Sequence, residues 1–174
     1  LTQSVHILPY FHGNRSPYAD PSLTGMICGL TLDHTEQSLC VQYYATLQAL
    51  AYEAKHIIDH IQGSHNEYEF DCIVVAGGLS ENGLFTQELA TITQRRVLVS
   101  QTQTMLLGAG IVAATASGLV PSMYDAMKMV GPPAVEVQPD LNEEVQKYHK
   151  AKYHVFERMY KHQKQYSALM KPLE

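Results

Sequence analysis

The residues best suited to chemistry in this chain are two adjacent glycines and an asparagine that follows them. Gly77 and Gly78 come directly after a short apolar run, and Asn82 lies four residues beyond Gly78. Two residues without Cβ atoms at the end of a buried strand let a flat or anionic ligand approach bare backbone. A carboxamide offers both a donor and an acceptor, which suits a ribose or the edge of a purine. The pattern indicates a ligand-binding turn, although Gly-Gly turns also occur without a ligand.

Three other groups invite a chemical interpretation, and each has a structural alternative. The segment 108–113 matches the dinucleotide pattern G-x-G-x-x-A, but its glycines fall inside an apolar helical run instead of on the turn after a strand. His56 and His60 are spaced to share a metal, but no Glu follows His56 in a His-Glu-x-x-His pattern. Arg15 could reach a phosphate, whereas bracing its own loop is the commoner role. We predict no metal site.

The elements around the glycine pair alternate between strand and helix. Residues 71–76 contain three consecutive β-branched residues, which predicts a strand that ends at Gly77. Ser80 or Asn82 can cap the next helix, and Thr35 can cap a long earlier helix that ends near Gly63. The other predicted elements are strands at 26–30 and 97–99 and helices at about 84–95, 104–117, 123–129 and from 140 onward, with 119–140 otherwise irregular because of four prolines. This order predicts an α/β domain.

Apolar spacing predicts which helix faces are buried. The long first helix carries apolar residues three and four apart, which predicts one core-facing stripe: Leu39, Tyr43, Leu47, Leu50, Ala54, Ile57 and Ile61. The helix at 104–117 is apolar all round, which predicts burial. The last helix has a broken apolar stripe that predicts packing on the body of the protein, with His149, His154 and His162 on its solvated face.

Composition limits the class of protein. A chain of 174 residues, 45% apolar and 17% charged, fits one soluble domain with a core. A net charge of −5 and the lack of an apolar stretch of about 18 residues argue against nucleic-acid and membrane partners. Three cysteines without C-x-x-C spacing fit small apolar side chains in a reducing cytoplasm. The first residues show no Met and no leader pattern, which predicts a fragment of something longer.

Several motifs in fixed order carry a resemblance to a known family. They are residues 11–17 (FHGNRSP), 19–21 (ADP), 25–31 (GMICGLT), 45–48 (ATLQ), 76–78 (AGG) with Asn82, and 107–110 (LGAG). Over residues 5 to 130 the chain resembles the C-terminal domain of FGGY-family carbohydrate kinases. The HGNRSP run is most similar to the ribulokinase branch.

The resemblance implies a fold and a site. The fold would be the C-terminal half of an actin- and hexokinase-like (ribonuclease H-like) α/β ATPase. Residues 1–139 would form the nucleotide-binding domain, incomplete at its N-terminus, and 140–174 an amphipathic helical extension. Adenosine contacts would fall on Gly77, Gly78 and Asn82, and Gly108 and Gly110 would pack their helix against the central sheet.

The resemblance also implies an activity for the intact enzyme: transfer of the ATP γ-phosphoryl group, with Mg²⁺, to a ketopentose, converting D-ribulose to D-ribulose 5-phosphate. The family's catalytic aspartate, sugar-binding residues and main phosphate loops lie upstream of Leu1, so no catalytic residue is expected in this chain. Its partners would be the ketopentose, ATP and the missing N-terminal domain, with a homo-oligomer as a further option. The alternative is a noncatalytic fragment that binds nucleotide weakly or acts through protein contacts.

Overall fold

The computed structural model describes residues 1–64, 68–100, 104–130 and 134–171. The strands are β1 (His6–Leu8), β2 (Met26–Cys28), β3 (Cys72–Val75), β4 (Arg96–Ser100) and β5 (Ala134–Val137). The helices are α1 (Glu36–Ser64), α2 (Gly83–Thr93), α3 (Thr104–Ala116), α4 (Met123–Val130) and α5 (Glu143–Met170), with a 3₁₀ turn at Gly78–Glu81. The predicted alternation of strands and helices is confirmed.

Two small sheets organise the strands. β1 and β2 form an antiparallel pair with Ile7 opposite Ile27. In the second sheet β4 lies in the middle, parallel to β3 and antiparallel to β5. Parallel neighbours require a crossover, and α2 supplies the one between β3 and β4. The glycine turn that follows β3 therefore lies at the carboxyl end of a strand whose register is fixed by its neighbour.

The core is built mainly by α1, α2 and α5 around β1. Its buried residues come from all parts of the chain, and they include Leu8, Tyr10, Leu47, Tyr52, Leu89, Val97, Tyr153, Phe156 and Met159. The rings of Tyr10 and Phe156 meet edge to face at 6.3 Å, a favourable geometry for aromatic pairs. The prediction that the last helix packs on the body of the protein is confirmed. No described helix is long and apolar enough to cross a membrane.

The predicted core stripe of α1 is only partly right. Leu47 is buried, whereas Leu39 and Tyr43 expose 66% and 53% of their surfaces. The buried face of α1 instead carries small and polar residues such as Ala45, Ala49 and Gln48. Short side chains let α1 lie close to α2 and β1, so the closest contacts do not follow the largest apolar residues.

Burial of α3 was a wrong prediction. None of its residues is buried, and Met105 and Leu106 are 88% and 72% exposed. An added Cβ at Gly108 or Gly110 would meet no atom within 4 Å, so the expected close packing of these glycines on the sheet is also wrong. The sequence pattern shows that this helix is apolar. It does not show whether other described residues pack against the helix and bury it.

Two further expectations are corrected. Residues 134–137 were expected to be irregular, but they form β5, because the local alternation in Ala134–Val137 outweighs the prolines nearby. Cys28 and Cys40 were expected to act as small apolar side chains, but both are exposed, since β2 and the start of α1 lie at the surface.

Candidate functional site

The glycine pair forms a tight turn directly after β3. Gly77 has φ +94°, a backbone region that favours glycine, and begins the 3₁₀ turn. The carbonyl oxygen of Gly77 accepts hydrogen bonds from Ser80 N at 3.0 Å and Ser80 Oγ at 2.6 Å. An added Cβ at Gly77 or Gly78 would meet no atom within 4 Å. The turn therefore presents bare backbone to open space, as the sequence predicts.

That open space is a cavity of about 870 Å³, large enough for a nucleoside. Gly77 and Gly78 line one side of it, and Val99, Val135 and Val137 contribute apolar side chains from the sheet. The walls thus combine bare backbone with a flat apolar surface, which suits a planar ring.

Sequence reasoning missed the polar groups of this cavity. Ser80, Thr86, Gln87 and Ser100 are polar residues among those that line it. Thr86 and Gln87 lie three and four residues after Gly83, which also lines the cavity. Residues at these spacings share one helix face, so the face could have been found once the start of α2 was known.

The electrostatics of the cavity favour an uncharged ligand group. Among the described residues that line it, Glu81 is the one ionisable side chain. Arg95 directly precedes β4 and Arg96 begins it, whereas the cavity is lined by the other end of that strand. Arg96 pairs there with Glu136 at 3.3 Å, and Arg95 donates to the carbonyl oxygen of Phe70 at 2.8 Å. Arg15 is exposed and does not line the cavity. Polar and apolar walls with no cation among the described lining residues suit a nucleoside better than a chain of phosphates.

Asn82 stands at the junction of the 3₁₀ turn and α2, and it is not among the residues that line the cavity. Its Oδ1 accepts hydrogen bonds from Leu84 N at 3.0 Å and Phe85 N at 3.2 Å, so it caps α2 as predicted. Its Nδ2 donates to the hydroxyl of Tyr43 on α1 at 2.8 Å. One N–H of the carboxamide remains for a ligand acceptor.

The other candidate groups have structural roles in the described chain. His56 Nε2 lies 2.8 Å from the Tyr18 hydroxyl and His56 Nδ1 lies 3.2 Å from the Tyr153 hydroxyl, and burial lowers the pKa of His56. Within the described ranges, no three His, Cys, Asp or Glu side chains are placed to hold a metal. The G-x-G-x-x-A segment lies inside α3, as expected from its apolar run, and not after a strand.

A second polar cluster joins α1, α2 and α5 away from the glycine pair. Buried Glu88 accepts hydrogen bonds from the Tyr44 hydroxyl and from Gln48 Nε2, the latter at 3.0 Å. His149 was expected on a solvated face, but it is 6% exposed, with Nε2 3.9 Å from Glu88 Oε2 and Nδ1 2.8 Å from the Tyr52 hydroxyl. The expectation failed because α1 and α2 both reach this side of α5.

Lys152 extends this cluster to the first residues of the chain. Its Nζ donates to the carbonyl oxygens of Thr2 and Val5, each at 2.6 Å. Burial lowers the pKa of Lys152 to about 8, although the Glu88 carboxylate opposes that shift. The cluster therefore holds the N-terminal segment on α5, and we assign it a structural role.

Comparison with known proteins gives the same fold and a family. Residues 1–117 match the C-terminal domain of the FGGY family of carbohydrate kinases. A relative described as an FGGY carbohydrate kinase domain-containing protein, from Xenopus laevis, is 39% identical over 171 residues, which cover 98% of this chain and 30% of the relative. A ribulokinase from Mycolicibacterium smegmatis is 42% identical over 113 residues, which cover 64% of this chain and 19% of the relative.

The fold is also found among solved structures. Plasmodium falciparum glycerol kinase, solved with ADP, superposes with a TM-score of 0.70 at 20% identity, covering 91% of this chain and 31% of that protein. The expected actin- and hexokinase-like architecture of a sugar-kinase C-terminal domain is confirmed. The chain spans about 30% of the length of the Xenopus relative. On the match over residues 1–117 and the similarity over nearly its whole length, this chain belongs to the FGGY family of carbohydrate kinases.

Proposed function

We propose that this chain forms the adenosine-binding part of an ATP-dependent carbohydrate kinase. The observation that carries the proposal is the cavity at the carboxyl end of β3, where Gly77 and Gly78 expose backbone and Glu81 is the one ionisable lining group among the described residues. The presence of ADP in a glycerol kinase of the same fold supports it. In this proposal the purine or ribose lies over the glycine turn, and the remaining N–H of Asn82 donates to it.

The substrate we propose is a ketopentose, with D-ribulose converted to D-ribulose 5-phosphate. The similarity to a ribulokinase over 113 residues supports this choice, as does the HGNRSP run. In the reaction the substrate's primary hydroxyl oxygen attacks the γ-phosphorus of ATP, the bond to the β-phosphate oxygen breaks, and a base takes the hydroxyl proton. The described residues of this chain provide nucleoside recognition for that reaction.

ATP reaches such kinases with Mg²⁺, whose preferred ligands are carboxylate oxygens, phosphate oxygens and water. Among the described residues, Glu81 provides the one carboxylate that lines the cavity, and no group of three metal-binding side chains is present. These residues do not fit a protein-held Mg²⁺.

We propose that the rest of a longer kinase polypeptide covers the apolar surface of α3. None of the residues of α3 is buried, and Val74 on β3 is 69% exposed. β3 is also an edge strand of the described sheet, with one side of its backbone unpaired there. The Xenopus relative is more than three times as long as this chain. Its additional residues are enough to cover the apolar surface of α3 and to pair with the free edge of β3. The nucleotide would then bind between this domain and its neighbour.

The direct test of the proposed site is ADP binding by Asn82 variants of the full polypeptide to which this chain belongs. Asn82→Ala removes both the cap and the N–H donor, whereas Asn82→Asp retains a capping oxygen and removes the donor. We expect both variants to bind ADP about three- to tenfold more weakly by calorimetry, the range for one lost hydrogen bond. We expect only Asn82→Ala to lose about 1 kcal/mol of stability. Unchanged ADP affinity in Asn82→Asp would remove Asn82 from the nucleotide contacts.

A further inference from the structure

The hydrogen bond between Asn82 and Tyr43 links the glycine turn to the longest helix. Asn82 Nδ2 donates to the Tyr43 hydroxyl at 2.8 Å, across 39 residues of sequence. Tyr43 lies in the second turn of α1, which packs along α2. A residue on α1 thus contacts the junction through which the turn enters α2.

Asn82 makes hydrogen bonds through both its side chain and its backbone at this junction. Besides the cap, its backbone N–H donates to Leu79 O at 3.2 Å and its backbone carbonyl accepts from Thr86 N at 3.1 Å. Leu79 belongs to the 3₁₀ turn, and Thr86 lines the cavity from α2. The orientation of Asn82 therefore determines how the turn and the helix wall of the cavity meet.

The Tyr43 hydroxyl also determines which way the Asn82 amide group faces. Because this hydroxyl accepts the hydrogen bond from Nδ2, its own proton is free to donate, and the carboxamide keeps a single N–H for a ligand. The Tyr43 hydroxyl thereby fixes the direction of that remaining N–H, which suits a ligand acceptor such as a ribose oxygen or a purine ring nitrogen.

We propose that Tyr43 is a positioning residue of the nucleotide site: its hydroxyl holds the Asn82 carboxamide in the orientation that serves the bound nucleoside. This inference rests on the proposed function and identifies a residue that the site needs. Packing alone is a poor explanation for the tyrosine, since 53% of its surface is exposed. Its ring therefore contributes little burial, and its hydroxyl makes the specific contact.

The test compares Tyr43→Phe with the wild type in the full polypeptide, since phenylalanine keeps the ring and removes only the hydroxyl. Tyr166→Phe on α5, where the tyrosine is 56% exposed, is the matched control. We expect Tyr43→Phe to raise the ADP dissociation constant and the KM for ATP by about three- to tenfold, as for one lost hydrogen bond. The kcat, the KM for the sugar and the melting temperature should stay as in the control. A purely structural role would instead lower the melting temperature.

A double-mutant cycle with Asn82→Ala decides whether Tyr43 acts through Asn82. We expect the double variant to bind ADP no more weakly than Asn82→Ala alone, because the hydroxyl then has no carboxamide to orient. Additive losses would overturn the positioning role, and so would an unchanged ADP affinity in Tyr43→Phe while the wild type binds ADP. A wild type that fails to bind ADP would overturn the proposed function and this inference together.

Discussion

Gly77 and Gly78 are adjacent, but they tolerate a side chain differently. Gly77 needs glycine for its backbone, because φ +94° strains other residues by about 1–3 kcal/mol. Gly78 has no such requirement, yet a Cβ there would project into open space beside the same cavity. A substitution at Gly78, unlike one at Gly77, therefore fills the cavity without straining the backbone of the turn.

Gly78→Ala should weaken ADP binding without changing the free energy of unfolding by more than about 0.5 kcal/mol, the usual range for an open position. Gly77→Ala should weaken binding and also destabilise the fold by about 1–3 kcal/mol through backbone strain. Calorimetry with ADP and urea unfolding measure the two effects.

The matched control is Gly63→Ala, near the end of α1. Its added Cβ also meets no atom within 4 Å, and this residue does not line the cavity. It should leave ADP affinity unchanged. If Gly78→Ala bound ADP as tightly as Gly63→Ala, the cavity beside the turn would not be where the nucleoside lies.

At the scale of elements, α3 is unusual because it is apolar on all sides and yet has no buried residue. It carries no charged residue, and its described side chains are exposed or half-buried. A contiguous apolar helix surface in a soluble protein marks an interface. This surface is the structural basis for proposing a second domain against this one.

Leu106→Lys should therefore destabilise the full polypeptide by about 2–4 kcal/mol, because a covered lysine would lose its water. Leu106 is 72% exposed in the described chain, so the substitution introduces no clash within it. Leu169→Lys on α5, at 73% exposure, is the control and should cost less than about 0.5 kcal/mol. Equal stability of the two variants in urea unfolding would show that α3 remains uncovered.

At the scale of the whole molecule, the buried His149 and the half-buried His56 make stability depend on pH. Burial lowers the pKa of His149 and of His56, although nearby carboxylates, Glu88 for His149, oppose the shift. Their folded pKa lies below the unfolded value of about 6.5, so the unfolded chain binds more protons as the pH falls through that value. The free energy of unfolding should therefore decrease on acidification below pH of about 6.5.

Urea unfolding at neutral and mildly acidic pH measures this dependence in the wild type, in His149→Gln and in His154→Gln. The His149 variant should show a weaker decrease, since a glutamine cannot gain the proton. The His154 variant should behave as the wild type, because His154 is 63% exposed. Stability that is equally pH-dependent in all three proteins would contradict the buried, neutral state of His149.

The sequence predicts local features of this molecule better than its long-range contacts. The strand, the glycine turn and the Asn82 cap were all predicted, because each depends on residues within about one helical turn of one another. The burial of His149, the exposure of α3 and the existence of β5 were not, because each depends on what lies opposite in space. Thr86 and Gln87 were not identified from the sequence as cavity residues. Which face of α2 they share with Gly83 can be worked out only when the exact start of the helix is known.

The central claim is that an adenine nucleotide binds over the turn at Gly77 and Gly78. The most direct measurement is a crystal structure of the full polypeptide with ADP. We predict density for the nucleoside against the backbone of both glycines, within hydrogen-bonding distance of Asn82. Nucleoside density at another place in the protein, with this cavity occupied only by solvent, would contradict the account.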